Sequence, residues 1–343
     1  MTANSIYLDH AATTPLLPAA RAAMLAGFEL WANPSSPHGA GRRARAALED
    51  ARERIKAALG WEGDVVFTSG ASEALTLAIT HCVEPLRAVS AVEHDAVLRH
   101  AGSAQVIGVD ALGLVDPAAC ALPGLVAVQQ ANSETGVMQP LEVVAEAVHG
   151  AGGLLLADCA QGAGKLLLPG GADLIALSAH KFGGPIGIGA LLVRDWALLR
   201  PSGGQERGYR GGTENLPGAL AMAAALEAGA DWLEHAVELR ELLDHAVTAA
   251  GGESLCAETA RVPSVAAYRM PGKSANAQLI RFDALGLAVS AGSACSSGSL
   301  RPSHVLSAIG YPHAAEVIRV SIGRETTRAE IGQFIAAWQE VAR

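Results

Sequence analysis

Short apolar runs alternate with Ala- and Leu-rich helical stretches along most of this chain, and that alternation constrains its fold more than any other feature. "DVVFTSG", "GLVAVQQANSETG", "GLLLADCAQ", "ADLIALSAHK" and "GIGALLVRD" read as strands, with "RRARAALEDARERIKAAL" and "PLEVVAEAVHGA" between them as helices. Strands that are apolar throughout and separated by helices predict an α/β domain whose largely parallel sheet is buried on both faces. From Pro217 a long helical stretch, "PGALAMAAALEAGADWLEHAVELRELLDHAVTAAG", is expected to bridge to a second unit. After it, "RVPSVAAYRM", "LGLAVSA" and "EVIRVSIG" predict a smaller α+β domain. With 343 residues, half of them hydrophobic, the chain can build two such cores. The division expected is 15–235 for the large domain, with 1–14 and 236–343 forming the small one.

Charge and cysteine usage remove several function classes. A net charge of −9 without a basic block argues against direct grip on phosphate backbones. No apolar run reaches the roughly 18 residues of a membrane span, and "MTANSIYLDH" lacks the pattern of a secretory signal. Cys82, Cys120, Cys159, Cys256 and Cys295 lie far apart with no CxxC, so no metal site is expected and a reducing cytoplasm is the expected location.

In open α/β sheets ligands bind outside the carboxyl ends of the strands, so the residues following each apolar run carry the chemistry. After "DVVFT" come Ser69, Gly70, Ala71 and Ser72, then a helix opened by Glu73; small residues there let backbone N–H groups surround an anion, although a tight turn with a helix cap reads the same way. After "GLLLA" comes Asp158, with Gln161 three residues on. After "ADLIAL" come Ser178, His180 and Lys181. A lysine ending a buried strand is costly as an unpartnered ammonium and becomes an amine nucleophile. Anion cradle, acid and lysine together suggest pyridoxal 5'-phosphate, whose aldehyde needs an amine and whose ring nitrogen needs a carboxylate. "CAQGAGKL" lacks the spacing of a P-loop, and no GxGxxG follows a strand.

The chain resembles the cysteine desulfurases of the NifS/IscS type, in the class V, fold-type I aminotransferases. The resemblance rests on "YLDHAATTP", "ANPSSPHGAGRRAR", "VVFTSGASEALTLAI", "AVEHDAVL", "ANSETGVMQP", "ADCAQGAGK", "LSAHKFGGPIGIGALLV", "GGQERGYRGGTEN", "SAGSACSSGSLRPSHVLSAIG" and "IRVSIGRETT", in the family's order over nearly the whole chain. It implies the pyridoxal-phosphate fold of type I, with a mainly parallel seven-stranded sheet and a smaller α+β domain. By the same resemblance Lys181 is the Schiff-base lysine, Asp158 and Gln161 contact the cofactor ring, and His94 stacks on the ring and helps move protons. Ala71, Ser72, Ser178 and His180 are implied to hold the phosphate. Thr213, with Arg210 nearby, reaches the phosphate site of the other subunit of a homodimer. Arg319, assisted by Asn33, is implied to clamp the substrate α-carboxylate. The family often has a second asparagine where Ser133 stands, so that contact falls to Ser133 or to Asn132.

Cys295 sits among Gly292, Ser293, Ala294, Ser296, Ser297 and Gly298, after an apolar strand. Such neighbours permit the travel that a sulfur-carrying thiol requires. The implied activity is removal of sulfur from L-cysteine, giving L-alanine and a persulfide on Cys295. A sulfur-acceptor protein, such as an iron–sulfur scaffold, is the implied partner. A selenocysteine lyase or transaminase on the same scaffold, or a low-turnover sulfur carrier that binds the cofactor, are the alternatives.

Overall fold

The computed structural model describes residues 5–292 and 303–343. The main sheet has seven strands in the order Asp64–Thr68, Gly189–Val193, Leu174–Ser178, Gly153–Asp158, Gly124–Ala127, Leu86–Ser90 and Gln105–Ile107. All pairings are parallel except those of Gly189–Val193, which runs antiparallel to both its neighbours. That strand follows the Lys181 strand by a turn, so Ser178 and Gly189 face one another in register.

Alternation of side chains along each strand divides the core in two. Val65, Phe67, Val126, Leu155, Ile175 and Leu192 face one layer, packed against the helices Gly39–Leu59, Leu141–Gly150 and Leu216–Glu227. Val66, Leu125, Leu156, Leu174, Ala176 and Leu191 face the other, where Leu75 and Ala78 of the helix Ala71–His81 cover them. Both faces are thus dry, as the uninterrupted apolar strands predict.

The stretch read as a single bridging helix is two, Leu216–Glu227 and Trp232–Ala249. Gly229 adopts φ +70°, a conformation that glycine takes without the penalty of a side chain, and the helix ends there. The first helix is buried almost all round in the main core, whereas the second contributes Ala236, Leu239, Leu243 and Val247 to a separate cluster. That second cluster joins the strands Val265–Arg269 and Val317–Ser321, the helices Ala275–Ala284 and Arg328–Ala342, and Ile6 and Leu8 from the N-terminal end. Phe282, Phe334 and Trp338 stack at its centre. Asp9 and Ser321 form a parallel bridge, and Ser290 and Arg319 an antiparallel one, so both ends of the chain meet beside the main sheet.

Candidate active site

A cleft of about 930 Å³ opens at the carboxyl ends of the parallel strands. Its walls bring together Ala71, Ser72, His94, Ser133, Asp158, Gln161, Ser178, His180, Lys181 and Arg319. These come from six separate stretches of sequence, and the sheet order makes them neighbours. The Asp158 strand lies next to the Lys181 strand, with Asp158 paired to Ala176.

At one end of the cleft, the turn Ser69–Gly70 leads into the helix Ala71–His81. A Cβ at Gly189 would stand 2.6 Å from the Gly70 Cα, so only glycine lets the strand end pack against this turn. A Cβ at Gly70 would reach within 3.5 Å of Ser178 Oγ, in the space between helix N-terminus and strand end. Backbone N–H groups, a hydroxyl and the helix dipole therefore converge where an anion is favoured. Glu73 closes the turn by accepting from the Ser69 N–H at 2.5 Å, and Arg210 Nε donates to its other oxygen at 2.9 Å. That ion pair brings the "GYRGGTEN" loop to the rim. Thr213 itself is exposed and does not line the cleft of its own chain.

Lys181 Nζ donates to the carbonyls of Ala11 at 2.6 Å and Ala12 at 2.9 Å. Asp158 is buried; its Oδ1 accepts from the Ala160 N–H at 2.9 Å. Burial pushes the Asp158 carboxyl up, while the Ala160 N–H, His94 and Lys181 pull it down. Glu93, next to His94, is fully buried with Oε1 on the Gln129 N–H at 2.5 Å and Oε2 without a partner. Burial first, and the Asp158 charge second, hold its carboxyl well above the usual range, which favours its protonated form. The sequence reading passed over Glu93, although its place beside His94 in "VEHDAV" was a signal. His94 Nδ1 accepts from the Ala96 N–H at 3.1 Å, which leaves Nε2 as the protonated nitrogen of the neutral ring. Burial lowers the His94 pKa against the pull of Asp158. His180 is likewise lowered, to about 4, by burial and by Lys181 and Lys165.

At the other end, Arg319 is 3% exposed, with Nη2 on Asp9 Oδ1 at 2.7 Å and Nη1 on the Ser133 carbonyl at 2.9 Å. Its Nε is buried without a partner. Ser133 thus holds Arg319 through its backbone carbonyl. Asn132 does not line the cleft: its Oδ1 accepts from the Glu134 and Thr135 N–H groups, each at 2.9 Å, and its Nδ2 donates to Val92 O. Asn33 is exposed, and its Oδ1 accepts from the Ser35 N–H. Cys295 lies outside the described residues. The residues flanking that stretch are at the cleft: Ser290 pairs with Arg319, Ser303 Oγ donates to Glu134 Oε2 at 2.5 Å, and His304 Nε2 lies 2.8 Å from the Glu93 carbonyl oxygen.

The donor set fits pyridoxal 5'-phosphate. Gln161 Nε2 is spent on the Ala11 carbonyl, while Gln161 Oε1 is a buried acceptor with no partner, as a ring hydroxyl would require. Asp158 is a buried carboxylate whose raised pKa a cationic ring nitrogen would relieve. Lys181 stands between them and the anion cradle.

The sequence matches the class-V aminotransferase family over residues 6–334. It is 37% identical to a cysteine desulfurase of Gluconacetobacter diazotrophicus over 97% of this chain and 92% of that protein. To a cysteine desulfurase of Rhodobacter capsulatus it is 38% identical, over 99% and 97%. The X-ray structure of a NifS-like protein from Rickettsia africae superposes with a TM-score of 0.90 at 29% identity, covering 98% of this chain and 99% of that one.

Proposed function

The chain belongs to the class-V aminotransferases, among the cysteine desulfurases of the NifS/IscS type, and we propose that Lys181, Asp158, His94, Arg319 and Cys295 are the groups through which it works. The fold is the pyridoxal-phosphate-dependent type I, and the enzyme is a sulfurtransferase that releases L-alanine from L-cysteine and retains the sulfur as persulfide. The observation that carries the assignment of residues is the pairing of the Asp158 and Lys181 strands beneath one cleft.

When bound, pyridoxal 5'-phosphate supplies an electron sink that makes the substrate Cα–H acidic. Lys181 Nζ is the amine that takes its aldehyde, Asp158 is the carboxylate for its ring nitrogen, and Gln161 Oε1 accepts from its hydroxyl. Ser72, Ser178, His180 and the first N–H groups of the helix Ala71–His81 hold its phosphate. Arg319 orients the substrate α-carboxylate through the guanidinium edge that carries Nε. Lys181 Nζ takes the Cα proton, and His94 Nε2 carries a proton on the same cleft wall. The Cys295 thiolate then attacks the substrate sulfur: a sulfur–sulfur bond forms, the substrate Cβ–S bond breaks, and its electron pair stays with the carbon skeleton, which takes one proton at Cβ, regains one at Cα and leaves as alanine.

Three further readings belong to this proposal. The large and small domains divide at 15–235, which the separate hydrophobic clusters support. Thr213 completes the phosphate site of a second subunit, which its exposure away from its own cleft supports. The persulfide sulfur passes to an acceptor protein such as an iron–sulfur scaffold, in a reducing cytoplasm, where the free state of the four described cysteines is the expected one. The test is to incubate purified protein and pyridoxal phosphate with cysteine, with and without a thiol reductant. Alanine release with reductant-dependent sulfide is expected, and absence of both overturns the proposal.

A further inference from the structure

Lys181 and Ala11, which line the cleft, also line a second and much smaller cavity of about 20 Å³. Its walls include His10, Lys165, Lys181, Ser264 and Arg324. A water molecule needs about 10–15 Å³ and two to four polar partners, and this space meets both conditions. Ser264 is 2% exposed and its hydroxyl has no partner; His10 is 7% exposed and its Nδ1 has none. Lys165 is itself only 9% exposed. Three buried polar groups thus surround a water-sized void that also touches Lys181, and no part of the proposed mechanism uses them.

We propose that this cavity holds one water that accepts from Lys181 and from the Ser264 hydroxyl and donates to Lys165 and His10 Nδ1, and that through it Lys165 serves as the proton acceptor for Lys181. In the step, an N–H proton of the Lys181 ammonium passes to the water oxygen while the water gives one of its own protons to the neutral Lys165 amine. Lys181 ends as a free amine, Lys165 as an ammonium, and the water is unchanged. Lys165 is a positioning residue in this scheme, acting on the reaction through Lys181. The inference rests on Lys181 being the amine that takes the substrate proton.

The charges around Lys165 suit the role. Burial, and then the charge of Lys181, bring the Lys165 amine down to about 7, so it is ready to receive a proton near neutrality. His10 is held down to about 4 by burial, and remains a neutral ring able to bond the water. His180 is neutral for a similar reason. Arg324 donates to the carbonyls of Ala228 and Gly229 at the outer edge. Glu330 acts on His10 from the last helix but does not line the cavity, and among the described residues no carboxylate does.

The test combines lysine-ε-carbon NMR with pH profiles. In the protein as purified, one lysine ε-resonance should titrate near pH 7, against about 10.4 for a free lysine, and it should vanish in Lys165→Met. Should that variant fail to fold, Lys165→Arg identifies the resonance instead. A Lys165 that titrates above pH 9 overturns the proposal. Alanine release by the wild type should rise through an inflection near pH 7. Lys165→Met should lose that inflection and about 10–100-fold in rate, with cofactor absorbance intact. Lys165→His should restore part of both, and Lys165→Arg neither. An unchanged inflection in Lys165→Met, or equal rescue by arginine, overturns the relay. A crystal structure with the cavity dry does the same. A wild type that makes no alanine would instead strike the proposed function, while the NMR titration would still decide the state of Lys165.

Discussion

Arg319 Nη2 lies 2.7 Å from Asp9 Oδ1, across a sequence separation of 310 residues, and this ion pair closes the end of the cleft opposite the anion cradle. The guanidinium is buried, and its Nε has no partner; in the proposed function this edge takes the substrate carboxylate. Arg319→Met should therefore raise KM for cysteine about 10–100-fold, the loss of a hydrogen bond to a charged group. Absorbance of bound cofactor should be unchanged. Initial-rate kinetics with cofactor saturation held constant check the split; an unchanged KM would assign the carboxylate to another group.

Cys295→Ser should separate binding from sulfur transfer. The variant should still change its visible spectrum on adding cysteine, yet form almost no persulfide. Alanine production should fall on the order of a thousandfold, the cost of removing a nucleophile. Serine at Cys82, Cys120, Cys159 or Cys256 should leave the chemistry in place, with a lower melting temperature at the three buried sites.

Subunit exchange decides where Thr213 acts. Lys181→Ala and an Arg210→Ala/Thr213→Ala double variant are each expected to be weak or inactive. If Thr213 serves the neighbouring site, mixing gives hybrids with one intact site, and activity per hybrid approaches half the wild-type value. If it serves its own chain, purified tagged hybrids stay inactive.

Arg52 and Glu206 form a buried pair, 3% and 2% exposed, with Nη1 and Nη2 at 2.9 and 3.0 Å from the two carboxylate oxygens. Glu206 also accepts from the Phe67 N–H at 2.8 Å, which ties the "GGQERGYRGGTEN" loop to the sheet. Glu206→Ala removes the bidentate partner of a buried guanidinium, leaving it only Glu49 as an ionic partner at Nε, and should cost about 3–5 kcal/mol. Urea denaturation measures it, and Arg52→Met combined with Glu206→Leu should recover much of the loss.

Acid should weaken the fold through His10. Its folded pKa of about 4 lies below the unfolded 6.5, so between these values the unfolded chain binds more protons. Stability from this group is full above about pH 6.5 and is lost as pH falls towards 4. Denaturant midpoints of cofactor-free protein between pH 7 and 4 should fall less steeply in His10→Asn than in wild type.

The strand ends were legible in the sequence because Asp158, Ser178, His180 and Lys181 end or follow apolar runs, and the sheet order then gathered them at one cleft. Lys165 was not, since a lysine after "GAG" looks like any solvated lysine until the N-terminal segment and Ser264 fold over it. The hydrogen bonds of Asn132 were not legible either: its motif points to a ligand contact, and the turn in which its side chain accepts from Glu134 and Thr135 forms only in the fold. The helix break at Gly229 was hidden by apolar residues continuing on both sides. Arg319 could be named as a charge in an apolar strand, but its partner Asp9 could not, because their contact depends on both ends of the chain.

The antiparallel strand Gly189–Val193 sets an order on the making of this site. Lys181 stands in the connection between two strands that pair in register from Ser178 and Gly189, so the backbone that carries it is closed by a small loop at little entropic cost, although its amine reaches the distant carbonyls of Ala11 and Ala12. A growing chain can set its lysine and, through Gly70 and Gly189, its anion cradle once this hairpin is complete. The Arg319–Asp9 ion pair has no such shortcut: its partners are 310 residues apart in sequence. The turn and the strand end that pack through Gly70 and Gly189 are therefore independent of the contact that holds Arg319.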